Sequence, residues 1–239
     1  MKTKHFYIAA LMLVAGIFLT VSCKKDKKSD PDAALTVNYN GFTYHTVKIG
    51  NQVWMVENLR TTTYRDGTAL LDGSPVNTNW ENANAFKAGA WCKYPGVTDD
   101  YGLLYNWYAV APSGPFAGEQ LAPEGWHIPS NEDWDQLYNH LGGDAAKAGD
   151  KLKEDGTKNW PEPNTGNNQS GFKGLPGGFR IEDNYINLTV EGVWWSSTPI
   201  DDSKAYVYVL ASNESILIKN INGVKTAGVS VRCIQDPKL

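Results

Sequence analysis

The segment GWHIPSNEDW at 125–134 constrains this chain most, because it specifies both the end of an extended stretch and the start of a helix. Pro129 disfavours helical backbone at the residue before it. Ser130 is a favourable N-cap residue, and two acidic residues then fall in the first turn, where the helix dipole favours negative charge. Apolar residues follow at helical spacing, namely Trp134, Leu137, Tyr138 and Leu141. The sequence therefore predicts a helix over 130–141, with one face in the core.

The rest of the chain predicts short strands and short helices in one domain over 36–239. Alternating residues at 36–60 predict two or three antiparallel strands. Residues 102–110 are apolar on both faces, which indicates a buried segment but does not choose between strand and helix. Further elements are predicted as helices at 79–88 and 145–154, a long loop at 155–170, and strands at 172–181, 192–198, 204–212, 214–221 and 228–235.

Six motifs occur in a fixed order. They are IGNQVWMVENL at 49–59, YGLLYNWYAV at 101–110, GWHIPSNEDW at 125–134, GFKGLPGGFR at 171–180, WWSST at 194–198 and VSVRC at 229–233. Together they resemble the Fibrobacter succinogenes major paralogous domain, a family of bacterial secreted and surface proteins, over residues 45–236. The resemblance implies an α+β, C-type-lectin-like single domain with short antiparallel sheets and two or three short helices. It also implies a distant similarity to the formylglycine-generating enzymes and no settled activity.

The first residues are typical of a bacterial signal peptide. Lys2 and Lys4 give a positive start, and the apolar run at 7–19 is too short to span a bilayer. We therefore expect residues 1–22 to be a signal peptide that directs the chain to the cell envelope.

A lipid anchor is predicted at Cys23. Ser22 precedes this cysteine as in a bacterial lipobox, although Thr20 stands where leucine is usual. Acyl chains on Cys23 would hold the protein on the outer membrane, with residues 23–35 as a charged, disordered tether that resembles the surface-export signals of some Bacteroidetes lipoproteins. An ordinary signal peptide cleaved nearby, with a simple solvated spacer, is the alternative.

Composition restricts the partners. Removal of residues 1–22 takes two of the 22 basic residues and none of the 26 acidic ones, leaving a net charge of −6. Nucleic acids require a basic surface, so they are not expected partners. Nine tryptophans indicate either an aromatic core or rings presented to a ligand.

Two cysteines remain in the predicted domain, Cys92 and Cys233. An exported protein can keep a disulfide, and a bond between these two would close a long loop. We predict this disulfide, with two buried free thiols as the alternative.

The triplet Glu162-Pro163-Asn164 lies in the long loop. In C-type lectins such a triplet helps to ligate calcium and sugar hydroxyls, and carboxylate and amide oxygens suit calcium. The downstream Trp-Asn-Asp element of lectins does not occur here, so a structural loop is the favoured interpretation and calcium or sugar binding the alternative.

Trp194 and Trp195 are the other candidate ligand-binding residues. Adjacent residues of a strand face opposite sides, so at least one ring should lie in the core while the other could stack on a carbohydrate. Core packing of both rings is the favoured alternative.

No sequence pattern indicates catalysis, a metal or a cofactor. The histidines lack zinc-site spacing, and the close cysteine pair of formylglycine-generating enzymes is missing because Cys233 is alone near the C-terminus. We expect a non-catalytic surface binding or adhesion module, with a glycan or surface protein as partner and loops near 66–78 and 155–170 presenting the site. A structural subunit of a surface assembly and a degenerate enzyme are the alternatives.

Overall fold

The computed structural model describes residues 36–74 and 78–237, apart from the side chains of Thr78 and Ile221. The predicted signal peptide, the lipidation site Cys23 and the tether lie outside these residues. The described residues all belong to one compact unit. None of their helices has both the length and the apolar character needed to cross a membrane.

Short strands dominate the described residues. The helices are α1 (Thr78–Ala85), α2 (Trp107–Val110), α3 (Asn131–His140) and α4 (Ala148–Leu152). The strands are β1 (Thr36–Tyr39), β2 (Phe42–Ile49), β3 (Gln52–Met55), β4 (Leu71–Asp72), β5 (Ala90–Cys92), β6 (Leu104–Tyr105), β7 (Trp126–His127), β8 (Gly177–Ile181), β9 (Asn184–Leu188), β10 (Glu191–Pro199), β11 (Lys204–Ala211), β12 (Ile218–Val224), β13 (Val229–Ser230) and β14 (Ile234–Gln235). Single 3₁₀ turns occur at Asp99–Tyr101, Gly114–Phe116 and Asp144–Ala146.

The strands form two sheets. One has the order β1-β2-β3-β14-β7, and the other the order β12-β11-β10-β13-β6-β5-β4, with the β8–β9 hairpin joined to β10. Most pairs are antiparallel, which confirms the mixed α+β class with short antiparallel sheets. Three parallel pairs, β10 with β8, β10 with β13 and β4 with β5, are an addition that the sequence did not predict.

Helix α3 forms where the sequence predicts it. The Ser130 hydroxyl accepts a hydrogen bond from the Asp133 N–H at 3.2 Å, and the Asp133 carboxylate accepts from the Ser130 N–H at 2.8 Å. This reciprocal cap satisfies two backbone donors at the start of the helix. Trp134 and Leu137 are buried on the predicted face.

The undecided segment at 102–110 contains both a strand and a helix. Strand β6 ends at Tyr105. The next residue is Asn106, whose side-chain oxygen accepts from the N–H groups of Ala109 and Ala90 at 3.1 and 2.9 Å. This side chain therefore caps α2 and fixes β5 beside it. The apolar pattern could not decide because both elements are buried on all sides.

An aromatic cluster joins the two sheets to α3. Trp134 stacks on Tyr208 of β11 with ring centroids 4.7 Å apart, and lies 4.9 Å from Trp54 of β3. Phe172 and Trp194 complete the cluster. The aromatic core is thus the explanation of the tryptophan content, since six of the nine tryptophans are fully buried.

A buried hydrogen-bond network centres on Oδ1 of Asn58. This atom accepts from Nε1 of Trp194 at 2.8 Å and from Nη2 and Nε of Arg232 at 2.9 and 3.2 Å. The Arg232 guanidinium also donates to the Phe172 carbonyl and lies over that ring, 4.0 Å from its centroid. Burial lowers the pKa of Arg232 to about 9.

We expect Asn58→Leu to lower the free energy of unfolding by about 3 kcal/mol or more, because it leaves buried donors of Trp194 and Arg232 without an acceptor. Urea denaturation of the variant measures this loss. The exposed Asn213→Leu serves as the matched control and should stay within about 0.5 kcal/mol of the parent. Equal effects of the two substitutions would contradict the central role of Asn58.

Candidate functional site

Trp194 and Trp195 do not present a binding platform. Both side chains are fully buried. Trp194 points into the aromatic cluster, and Nε1 of Trp195 donates to the Tyr105 carbonyl at 2.8 Å on the other side of the sheet. Both rings therefore lie in the core, which is the interpretation that the sequence favours, and neither is exposed to stack on a carbohydrate.

Cys92 and Cys233 are free thiols rather than a disulfide. Cys92 lies on β5 in a small cluster with Trp80 and Leu104, whereas Cys233 lies in the main core. Strand β6 separates β5 from β13 and the C-terminal segment, so the sheet order keeps the two cysteines apart. Burial raises the pKa of both thiols, which makes them unreactive.

In the Glu162–Asn164 triplet, Glu162 is exposed to solvent, whereas Asn164 forms hydrogen bonds within the loop. The Asn164 amide donates to the carbonyls of Glu154 and Gly156 at 2.9 and 2.7 Å, and its oxygen accepts from the Gly166 N–H at 2.9 Å. The Asn164 side chain therefore stabilises the loop with its amide and its oxygen. Glu162 is exposed, and in the described ranges no cluster of three or more His, Cys, Asp or Glu side chains could hold a metal.

A polar cleft of about 680 Å³ lies elsewhere, between α3 and the turn that joins β2 to β3. The turn contributes Gly50, Asn51 and Gln52. The helix contributes carboxylates, amides and an imidazole, from Glu132, Asp135, Gln136, Asn139 and His140. None of the predicted site residues lines this cleft.

The walls of the cleft are fixed by hydrogen bonds and close packing. The Gln52 amide donates to the Asp133 carbonyl at 2.9 Å and accepts from Nε1 of Trp54 at 3.2 Å. Gly50 has a φ of +62°, and a Cβ at this position would lie 2.8 Å from Nδ1 of His140. The turn can therefore approach the helix this closely only with glycine at position 50.

Four side chains of the cleft keep their polar groups available. Asn51, Glu132, Gln136 and Asn139 are exposed, and none of them has a side-chain hydrogen bond within the part of the chain that the structure describes. The three helix residues recur at i, i+4 and i+7, which places them on one face. This arrangement offers several amide and carboxylate groups to one ligand.

One of the two carboxylates of the cleft, that of Asp135, is neutralised by an ion pair. Asp135 pairs with Nζ of Lys219 at 3.0 Å and accepts from the Tyr208 hydroxyl at 3.1 Å. Burial, and then the neighbouring Asp135, raises the pKa of Tyr208, so this phenol stays protonated as a donor. Within the described residues, Glu132 has no such partner, and neither lysine nor arginine lines the cleft.

His127 connects the helix start to the C-terminal segment. Its Nδ1 lies 2.7 Å from Oδ1 of Asp236, and its Nε2 lies 3.3 Å from Oδ2 of Asp133. The hydrogen bond with Asp133, and then that with Asp236, raises the pKa of His127 against the effect of burial. This histidine is thus a structural tie between the two segments, and it does not line the cleft.

The described residues thus form an α+β domain with an aromatic core and a cleft beside α3. The sequence model of the Fibrobacter succinogenes major domain matches residues 47–235, well over half of the chain. The chain therefore belongs to this family, which confirms the resemblance. No curated protein and no solved structure matches it.

We expect His127→Gln to destabilise the protein at pH 5.5 by about 1 kcal/mol, a value reduced for solvent screening because the ring is one-third exposed. A raised pKa in the folded state means that the stabilisation is fully present below the ordinary histidine pKa and is lost as pH rises through the folded value. The difference between variant and parent should therefore shrink towards pH 9. Urea denaturation at several pH values measures it.

The exposed His140→Gln is the control for this pH dependence, because His140 forms no ion pair in the described ranges. A pH-independent loss in His127→Gln, or an equal pH dependence in His140→Gln, would contradict the assignment.

Proposed function

We propose that this protein is a non-catalytic, envelope-tethered binding module that takes a hydroxyl-rich ligand such as a glycan in the cleft between α3 and the β2–β3 turn. One observation carries the proposal. Asn51, Glu132, Gln136 and Asn139 face a preformed cleft with their hydrogen-bonding groups unused by the described residues.

The chemistry of these groups suits sugars. Amides donate and accept, and carboxylates accept twice, so together they can satisfy neighbouring hydroxyls that each donate and accept. Walls held by Gln52 and Gly50 need little ordering when a ligand binds, which lowers the entropic cost. Among the described residues Glu132 has no ion-pair partner and neither lysine nor arginine lines the cleft, so the cleft favours neutral ligands over anionic ones.

We also infer that the fold is a variant of the C-type-lectin-like fold, distantly similar to the formylglycine-generating enzymes. Two short-stranded sheets, short helices and a 155–170 region with no helix or strand support this interpretation. Cys233 is buried, and no second cysteine lies beside it in the described residues. This observation supports a binding role over a degenerate enzyme.

The binding prediction is tested on a glycan array with the mature chain carrying Cys23→Ala. We expect saturable binding to neutral glycans, weakened about tenfold or more in Gln136→Ala/Asn139→Ala, because two hydrogen-bonding groups are removed. Asn82→Ala/Gln120→Ala removes the same two amides from exposed positions elsewhere and should bind as the parent does.

Three results would count against the cleft. Binding that depends on calcium and is lost in Glu162→Gln would place the site in the 155–170 loop. Binding that is unchanged in the double variant of α3 would exclude the cleft. If no glycan on the array binds, the glycan proposal is rejected, and a structural subunit of a surface assembly becomes the favoured function.

The lipid anchor is tested separately in cells. We expect the parent protein to fractionate with the outer membrane and Cys23→Ala to be released in soluble form, since each buried methylene of an acyl chain contributes about 0.8 kcal/mol to anchoring. Ser29→Ala in the tether is the control and should remain on the membrane. Membrane association of Cys23→Ala equal to that of the parent would contradict lipidation.

A further inference from the structure

The polar cleft between α3 and the β2–β3 turn is lined by two carboxylates, and only one of them has a partner. Asp135 forms an ion pair, whereas Glu132 is exposed and has neither an ion pair nor a side-chain hydrogen bond among the described residues. The other polar side chains in the lining are amides and one imidazole. The carboxylate of Glu132 is therefore free to pair with a group of the ligand.

The nearest cation, Lys219, does not compensate Glu132. Nζ of Lys219 donates to both carboxylate oxygens of Asp135, at 3.2 and 3.0 Å, and lies 5.2 Å from the centroid of the Tyr206 ring. Lys219 is thus engaged by Asp135 and by an aromatic face, and the pair of Lys219 and Asp135 carries no net charge. The cleft as a whole presents one negative charge, which attracts cationic ligand groups.

The uncharged hydrogen-bonding groups continue along the helix from Glu132. Gln136 and Asn139 follow it by four and seven residues on the same face, so Asn139 lies about 10 Å further along the helix axis. Asn51 contributes a third amide from the turn. This spacing is longer than one pyranose ring, so a ligand that contacts both Glu132 and Asn139 must contain at least two sugar units.

Among the groups that a sugar can carry, a protonated amine matches Glu132 best. It brings three N–H donors and a full opposite charge, whereas a hydroxyl brings one O–H donor and no charge. Hydrogen bonds between two ionised groups are stronger than those with one neutral partner. A sugar carboxylate or sulfate would instead be repelled by Glu132.

We propose that the cleft binds amino sugars, as an oligosaccharide with free, protonated amines, and that Glu132 selects for the amine. One ammonium pairs with the Glu132 carboxylate, and the amides of Gln136, Asn139 and Asn51 hydrogen-bond to hydroxyls of the neighbouring sugar unit. This inference rests on the proposed glycan-binding function and adds the class of sugar to it.

The test compares two trisaccharides that differ only in the amine. One is a β-linked glucosamine trimer with free amines, and the other is the same trimer with every amine acetylated. Each is titrated calorimetrically into the mature chain carrying Cys23→Ala, at pH 6.5. We expect the free amine form to bind about threefold to fivefold more tightly at low ionic strength, which is the effect of an exposed ion pair. The preference should shrink in high salt, because salt screens exposed charges.

Two charge variants locate the preference. Glu132→Gln should bring the affinities for the two trisaccharides to about the same value, because it removes the charge and keeps a hydrogen-bonding side chain. Glu124→Gln removes the same charge from an exposed position outside the lining, and it should keep the preference of the parent. Thermal denaturation confirms that both variants are folded.

Equal affinity of the parent for the two trisaccharides, or tighter binding of the acetylated form, would overturn the inference and leave the glycan-binding function standing. A preference that persists in Glu132→Gln would also overturn it. Failure of both trisaccharides to bind would exclude amino sugars as ligands, and the glycan array then decides separately whether the cleft binds any other glycan.

Discussion

Hydrogen bonds to one side-chain oxygen, Oδ1 of Asn58, connect the two sheets. Asn58 follows β3 of the smaller sheet, while the donors that it accepts belong to Trp194 on β10 and to Arg232 between β13 and β14. A guanidinium that is buried away from water requires hydrogen-bond acceptors and aromatic contacts. The Arg232 guanidinium has Asn58 and the Phe172 carbonyl as acceptors, and it lies over the Phe172 ring. The same interaction that satisfies the charge thereby fixes the indole of Trp194 within the aromatic cluster.

This network explains why some elements could be predicted from sequence and others could not. Helix α3 has its cap, its apolar face and its stop within a dozen residues, so local rules suffice. The sequence does not decide between strand and helix for segment 102–110, because a segment that is buried on all sides shows no alternation of apolar and polar residues. The strand changes to a helix at Asn106, which caps the helix. The exposure of Trp194 and Trp195 depends on which layers cover each face of β10, and those layers come from residues far away in sequence.

The state of the two cysteines and the position of the cleft also depend on contacts between residues far apart in sequence. Cys92 and Cys233 are compatible with a disulfide in count and compartment, but the order of β13, β6 and β5 separates them, and sheet order is a property of the whole fold. The two walls of the cleft are joined by a bond between residues 81 positions apart. A local signal did exist, since Glu132, Gln136 and Asn139 repeat on the polar face of a helix whose other face was correctly assigned to the core. That pattern alone is common to most surface helices, and a cleft forms here because the turn at Gly50 lies opposite the helix.

Strand alternation gives the larger sheet two chemically different faces. Along β10 and β11, one set of side chains packs against α3 and includes Trp194 and Tyr208, while the other set is aliphatic and consists of Val193, Val207 and Val209. Trp194, Tyr208 and Trp134 are close-packed and buried, and their displacement would disturb the network at Asn58. The helix and the cleft beside it therefore lie on a rigid support.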